Sequence, residues 1–203
     1  MSETPTLAAR RSPFGGTRAA LAQPNAAGQI GVRLQADMLG SVTQVSTWTS
    51  GMPALVQALT AWLGLPPPAT TGSTLATDYG LLLRSGPEEF LLIAESVLDN
   101  AAFLRRQVAG ELGAVTDLSH ARCRIRVSGE KTCDTLSKLF PIDLREPAFA
   151  VGQARLTGHH HVPALLHRRA RDDFDLYVFT TYAQDQWQVL RDAALEYGVS
   201  VGV

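Results

Sequence analysis

Three histidines in a row, His159, His160 and His161, with His167 close behind, are the most conspicuous chemistry-bearing cluster of the chain. Imidazole ligates zinc and related metals, and short His-rich tracts can bind them. Adjacent side chains on a strand point to opposite faces, so only His159 and His161 could share an ion. No Cys or carboxylate stands at a familiar ligand spacing, and the expectation is a polar surface hairpin with no metal-binding residue. Arg122, Arg124 and Arg126 alternate along a second segment, where guanidinium groups could hold a carboxylate, a phosphate or a partner subunit bidentately. Asp173 and Asp175 alternate in the same way, and the favoured expectation is that they pair with the arginines across two strands. Such cross-strand ion pairs contribute only about 0.2–1 kcal/mol each.

Asp117, Ser119 and His120 supply the side-chain types of a hydrolytic triad, but no Gly-x-Ser-x-Gly elbow surrounds the serine. Cys123 falls on the apolar face of its segment and Cys133 on the helix expected behind it, so both are expected as core thiols. No G-x-G-x-x-G follows a predicted strand and no G-x-x-x-x-G-K-S/T occurs. No residue is therefore assigned a catalytic, cofactor-binding or metal-binding role.

The elements that must position these residues alternate along the chain. Strands are expected at Gln29–Gln35 and Ser41–Trp48, then a helix over Met52–Leu63 with Gly64 at its end. Three consecutive prolines make the next stretch a loop. Tyr79–Arg84 and Glu89–Ala94 flank a Ser-Gly-Pro-Glu turn, and a helix is predicted to start at Ser96, with Asp99 completing its cap, and to stop at Gly113. Val115–Ser119 closes a β-α-β-β-α-β order. The order recurs, with strands at Arg122–Ser128, Gly152–Thr157, Val162–Arg168 and Asp173–Phe179, and a last strand at Val199–Val201. Its helices are predicted at Glu130–Phe140 and from Thr181 to Gly198. The expectation is an α+β protein of two ferredoxin-like βαββαβ halves, residues 29–119 and 120–203, behind an N-terminal arm of residues 1–28. The arm reads either as a mobile tail or as a contact with a partner.

Composition narrows the class. At 203 residues, 45% hydrophobic and 18% charged, the chain can bury a core without staples. A formal net charge of -1 gives no general attraction to nucleic acid or to anionic membranes. No apolar run reaches the roughly 20 residues of a spanning helix. Two cysteines and an N-terminus without an apolar stretch point to a cytoplasmic protein with reduced thiols.

An ordered set of short motifs adds to this. Arg11–Pro13, Gly86–Glu89, Asp117–Arg122 (Asp-Leu-Ser-His-Ala-Arg), Pro141–Leu144, Phe149–Gly152 and Phe174–Trp187 follow one another as in the γ subunit of heterotetrameric sarcosine oxidase, which the chain resembles from about residue 79 onward and only loosely before. The resemblance implies a fold similar to the folate-binding domain of aminomethyltransferases. It implies a subunit of a cytoplasmic enzyme that oxidatively demethylates sarcosine to glycine, with hydrogen peroxide and methylenetetrahydrofolate or formaldehyde as further products. FAD, FMN, NAD and tetrahydrofolate would sit in other subunits, and the partners would be the larger α and β and the small δ subunits. No catalytic residue carries over.

The surface expected to meet those partners is Arg10, Arg11, Pro13 and Phe14 of the arm with Arg122, Arg124 and Arg126. Two alternatives stand beside this reading. One is a stand-alone folate-binding module, for which Asp117 is the one carboxylate that could hold a pterin. The other is a subunit of a different N-methyl amino acid oxidase or dehydrogenase complex, such as one acting on N-methylglutamate.

Overall fold

The computed structural model describes residues 11–15, 21–108 and 110–202. The chain opens with strands β1 (Leu21–Gln23) and β2 (Val32–Asp37). A first unit follows: β3 (Ser41–Thr47), α1 (Met52–Leu63), β4 (Thr74–Thr77), β5 (Gly80–Gly86), β6 (Glu89–Ala94), α2 (Asn100–Gln107) and β7 (Gly113–Asp117). The second unit is β8 (Arg122–Ser128), α3 (Thr132–Ser137), β9 (Ala154–His159), β10 (Val162–Ala170), β11 (Asp173–Phe179), α4 (Ala183–Ala194) and β12 (Val199–Gly202).

The first unit forms a five-stranded sheet in the order β4-β5-β6-β3-β7. Leaving aside the edge strand β4, this is the fourth-first-third-second arrangement of a ferredoxin-like fold, with every neighbour antiparallel. The seven-stranded sheet runs β1-β12-β2-β8-β11-β10-β9. It repeats the arrangement with β9 added at one edge and β2 inserted between β12 and β8. The two-half α+β architecture expected from the sequence is the one found.

Burial on both faces explains the strand compositions. On β8, Cys123, Ile125 and Val127 face a core completed by Leu136 of α3 and by Trp187 and Leu190 of α4. On β6, Phe90 and Leu92 meet Leu55, Leu59 and Leu104 of α1 and α2. The opposite faces of the two sheets meet each other through Val42, Leu83, Leu91, Ile93, Leu165 and Tyr177. The layers are therefore helix, sheet, sheet, helix, and the seam between the sheets is half apolar and half charged.

Several boundaries differ from the expectation. The strand predicted at Gln29–Gln35 lies at Val32–Asp37, and it belongs to the sheet of the second half rather than the first. Its alternate residues Val32, Leu34 and Ala36 fill the same core as Ile125, and it pairs in parallel with β12 and antiparallel with β8. Helix α2 starts at Asn100, not Ser96. Asp99 is its N-cap, accepting the Ala102 N–H at 3.1 Å, and Val97 stays 76% exposed. The chain leaves α2 after Gln107, so Gly113 opens β7 instead of stopping a helix. Helix α3 is shorter than Glu130–Phe140 and continues only as a turn, with the Phe140 N–H on the Leu136 carbonyl. Helix α1 matches its predicted span, and Gly64 closes it at φ 70° with its N–H on the Thr60 carbonyl.

The arm is partly integrated into the fold. Leu21–Gln23 pairs with β12. Phe14 is fully buried and packs edge-on against Trp187, with ring centroids 5.8 Å apart.

Candidate functional site

Charged side chains from both halves converge on the seam. Strand β8 lies antiparallel to β11, setting Asp175 opposite Arg126, Tyr177 opposite Arg124 and Phe179 opposite Arg122. Arg126 then reaches diagonally and holds Asp173 with two bonds, Nε to Oδ1 at 2.9 Å and Nη2 to Oδ2 at 2.6 Å. The aspartates do pair with the arginine strand, as the shared alternation suggested.

Arg124 occupies the centre. Its side chain is 8% exposed, and Nη2 donates to Asp37 Oδ2 at 2.9 Å and to Glu95 Oε2 at 3.0 Å, while Nη1 donates to Glu95 Oε1. Asp175, buried beside it, accepts from the Tyr177 hydroxyl at 3.2 Å and from Arg169 Nη1 at 3.4 Å. His167 Nδ1 stands 3.9 Å from Asp175 Oδ2, and Arg124 Nε 3.8 Å from Oδ1, both too far for direct hydrogen bonds. Asp175 Oδ1, His167 Nδ1 and Arg124 Nε are all buried without a hydrogen bond.

Electrostatics fix the protonation states. Burial raises the pKa of Asp175, but His167, Arg124 and Arg169 more than offset it and hold the carboxyl below its ordinary range. Burial, reinforced by the Asp175 charge, pushes the Tyr177 phenol well above its ordinary value. At neutral pH the pair is a carboxylate and a phenol, a fixed electrostatic unit rather than an acid and base poised near neutrality. A cleft of about 250 Å³ opens over it, lined by Gly80, Leu81, Ile93, Glu95, His167, Arg169, Asp175 and Tyr177. A second cleft of about 210 Å³ lies at another part of the seam, between Leu83, Arg84 and Ser85 on one side and Ala154, Arg155 and Leu165 on the other.

The other sequence candidates separate. His159 ends β9 facing inward, with Gln186 Nε2 donating to its Nδ1 at 3.2 Å. Burial lowers its pKa and the neighbouring His160 adds to this. His160 and His161 form the two-residue hairpin loop, His160 at φ 53° and both exposed. The tract is a hairpin, but its first histidine is buried rather than on the surface. Among the described residues no three His, Cys, Asp or Glu side chains are grouped to hold a metal ion. The Ser119 hydroxyl donates to Asp117 Oδ1 at 2.5 Å and accepts the Val42 N–H at 3.0 Å, while the Ser119 N–H also bonds Asp117. That arrangement locks the turn between β7 and β8 and leaves the hydroxyl bound on both sides. Asp117 is exposed and lines neither seam cleft. Burial pushes the Cys123 thiol up to about 12 and raises Cys133 as well.

Of the residues expected at a partner surface, Arg10 lies outside the described residues. Phe14, Arg124 and Arg126 are engaged within the chain, whereas Arg11, Pro13 and Arg122 line one small notch. Sequence reasoning missed Asp37 and Glu95 as partners of Arg124. A detectable signal was the period of β6, whose face of Glu89, Leu91 and Ile93 continues to Glu95 just beyond its end.

Known proteins bear out this architecture. The model of the sarcosine oxidase, gamma subunit family matches residues 49–196. Sarcosine oxidase subunit gamma of an Arthrobacter species is 33% identical over 191 residues, covering 93% of this chain and 91% of the relative. Its counterpart from Corynebacterium sp. strain P-1 is 30% identical over 188 residues, covering 93% and 91%. Among solved structures, heterotetrameric sarcosine oxidase from Corynebacterium sp. U-96, in complex with pyrrole 2-carboxylate, superposes with a TM-score of 0.79 at 28% identity, covering 93% of this chain and 96% of that one. Glycine cleavage system aminomethyltransferase T from Bartonella henselae gives a TM-score of 0.60 at 14% identity over 80% of this chain and 46% of that one, a likeness of fold alone. The chain belongs to the sarcosine oxidase gamma subunit family.

Proposed function

We propose that the chain is the non-catalytic γ subunit of a cytoplasmic heterotetrameric oxidase that demethylates sarcosine to glycine, releasing hydrogen peroxide and methylenetetrahydrofolate or formaldehyde. It stabilises the larger subunits, and by itself it is inactive. The observation that carries this reading is the nearly full-length match, both sheets included, to a chain of the Corynebacterium heterotetramer.

Among the described residues, the two clefts at the seam are small for FAD, FMN, NAD or tetrahydrofolate. The seam clefts, about 210 and 250 Å³, are smaller than the roughly 300–1,000 Å³ of ordinary small-molecule sites. A wider hollow of about 510 Å³ at α3 is lined by Asp134, Asp143, Glu146 and Asp172 together with Arg145, Arg168 and Arg171, a mixed lining that offers a dinucleotide's phosphates no net positive field. Arg145 in that lining is already bonded to Asp143. This supports the reading that the larger subunits hold these groups. The stand-alone folate module is disfavoured because Asp117, its one carboxylate, is exposed at the end of β7 and lines neither seam cleft. Among the described residues no helix is long and apolar enough to cross a membrane.

Omission tests the assignment. The other subunits, co-expressed without this chain, are expected to give unstable or aggregated flavoprotein, with sarcosine-dependent peroxide restored when the chain is included. Full activity and a stable assembly in its absence would remove the stabilising role.

A further inference from the structure

Among the described residues Arg122 forms no salt bridge. Its guanidinium stacks on the Phe179 ring at 3.7 Å, which fixes the plane of its donors, and its Nε is buried without a hydrogen bond. Burial pushes its pKa below the ordinary value, and the Glu89 carboxylate offsets part of this. Glu89 is itself held by Gln44 and by the Ser85 hydroxyl, and no ion pair to Arg122 forms among the described residues. A partly desolvated cation in this state costs free energy that a carboxylate would offset.

The surroundings suit such a carboxylate. Arg122 lines a notch of about 40 Å³ with Arg11, Pro13, Met38, His120 and Thr180, and no acidic residue lines it among the described residues. The notch has room for a carboxylate head or roughly one or two waters, far less than a cofactor needs. Apolar surface lies nearby. Met38 is 36% exposed, and the adjoining Gly40 packs on the Ser96 backbone, so the exposed Val97 and Leu98 stand at the same end of the molecule. Arginine is a common anchor residue of protein interfaces, and here it stands beside exposed apolar side chains.

We infer that this notch is where a larger subunit of the oxidase docks, setting the carboxylate of an Asp or Glu side chain on Arg122 and Arg11 with apolar neighbours against Met38 and Leu98. The inference rests on the subunit reading above. It selects, from the arginine surface expected in the sequence, the part that forms no ion pair among the described residues.

The test is co-expression of the tagged chain with the larger subunits and recovery of the complex over a salt gradient. Arg122→Ala and Arg11→Glu are each expected to lower recovery of the larger subunits by at least about tenfold, with Arg122→Lys intermediate because it keeps the charge and loses the fork. Arg11 is exposed, so its substitution leaves the fold intact and keeps the test valid if Arg122→Ala misfolds. Wild-type recovery for both Arg11→Glu and Arg122→Lys would overturn the notch while leaving the subunit reading standing. Failure of the wild-type chain to recover any larger subunit would overturn both.

Discussion

Arg124 of β8 grips Glu95, the residue after β6, with both terminal nitrogens, and so joins the two halves across their seam. The same guanidinium binds Asp37 at the end of β2. One buried cation thus ties the inserted strand, the first sheet and the second sheet together. It lies next to an apolar patch in which Leu83, Leu91 and Ile93 of one sheet meet Leu165 and Tyr177 of the other.

Removing Arg124 takes the cation from Asp37 and leaves the buried Asp175 with Arg169 alone. Arg124→Met is expected to destabilise the chain by about 3–5 kcal/mol, the usual cost of breaking a buried pair from one side. Glu95 is 69% exposed, so Glu95→Gln should cost no more than about 1 kcal/mol. Urea denaturation of both variants checks the asymmetry. Equal small losses would mean that the seam is held by its apolar patch alone.

Asp175 predicts a pH dependence. Its carboxyl titrates lower in the folded chain than in the unfolded one. Its stabilising contribution is therefore complete above the unfolded carboxyl value near 4 and is lost as pH falls through the folded value. Asp175→Asn should cost about 1–3 kcal/mol at pH 7. The gap between wild type and variant should narrow between about pH 5 and 3. A gap that stays constant over that range would contradict the assignment.

Phe14 tests whether part of the arm belongs to the core. Phe14→Ala removes a fully buried ring from the face of Trp187 and should cost about 3–5 kcal/mol, with a change in tryptophan emission. A loss under about 0.5 kcal/mol would show that the arm is not docked in solution.

The Cys123 thiol, pushed up to about 12 by burial, should resist alkylation at pH 8 in the native protein. Cys133 is only partly buried and should react first. Rapid modification of both thiols without unfolding would argue against the packing of β8.

What the sequence disclosed follows the range of each signal. Periodicity is local, so α1 at Met52–Leu63 and the strands at Arg122–Ser128 and Asp173–Phe179 were legible to the residue. Partner choice is not local. The alternation of Val32, Leu34 and Ala36 marks a strand, but nothing in it says that the strand must enter the second sheet between β12 and β8. The partners of Arg124 lie 87 and 29 residues away in the chain, beyond any spacing rule. Ser96 resembled a helix cap as closely as Asp99 did, yet its backbone lies against Gly40 and the helix starts four residues later, at Asn100. Phe14 read as an exposed, adhesive residue because its core partner, Trp187, stands at the other end of the chain.

Affinity purification of the tagged chain from its own host, at native levels, decides whether it works as a subunit of the oxidase. Yellow, flavin-containing larger subunits are expected to come with it, in an assembly that makes peroxide when given sarcosine. A chain recovered alone, stable and colourless, would contradict the subunit role.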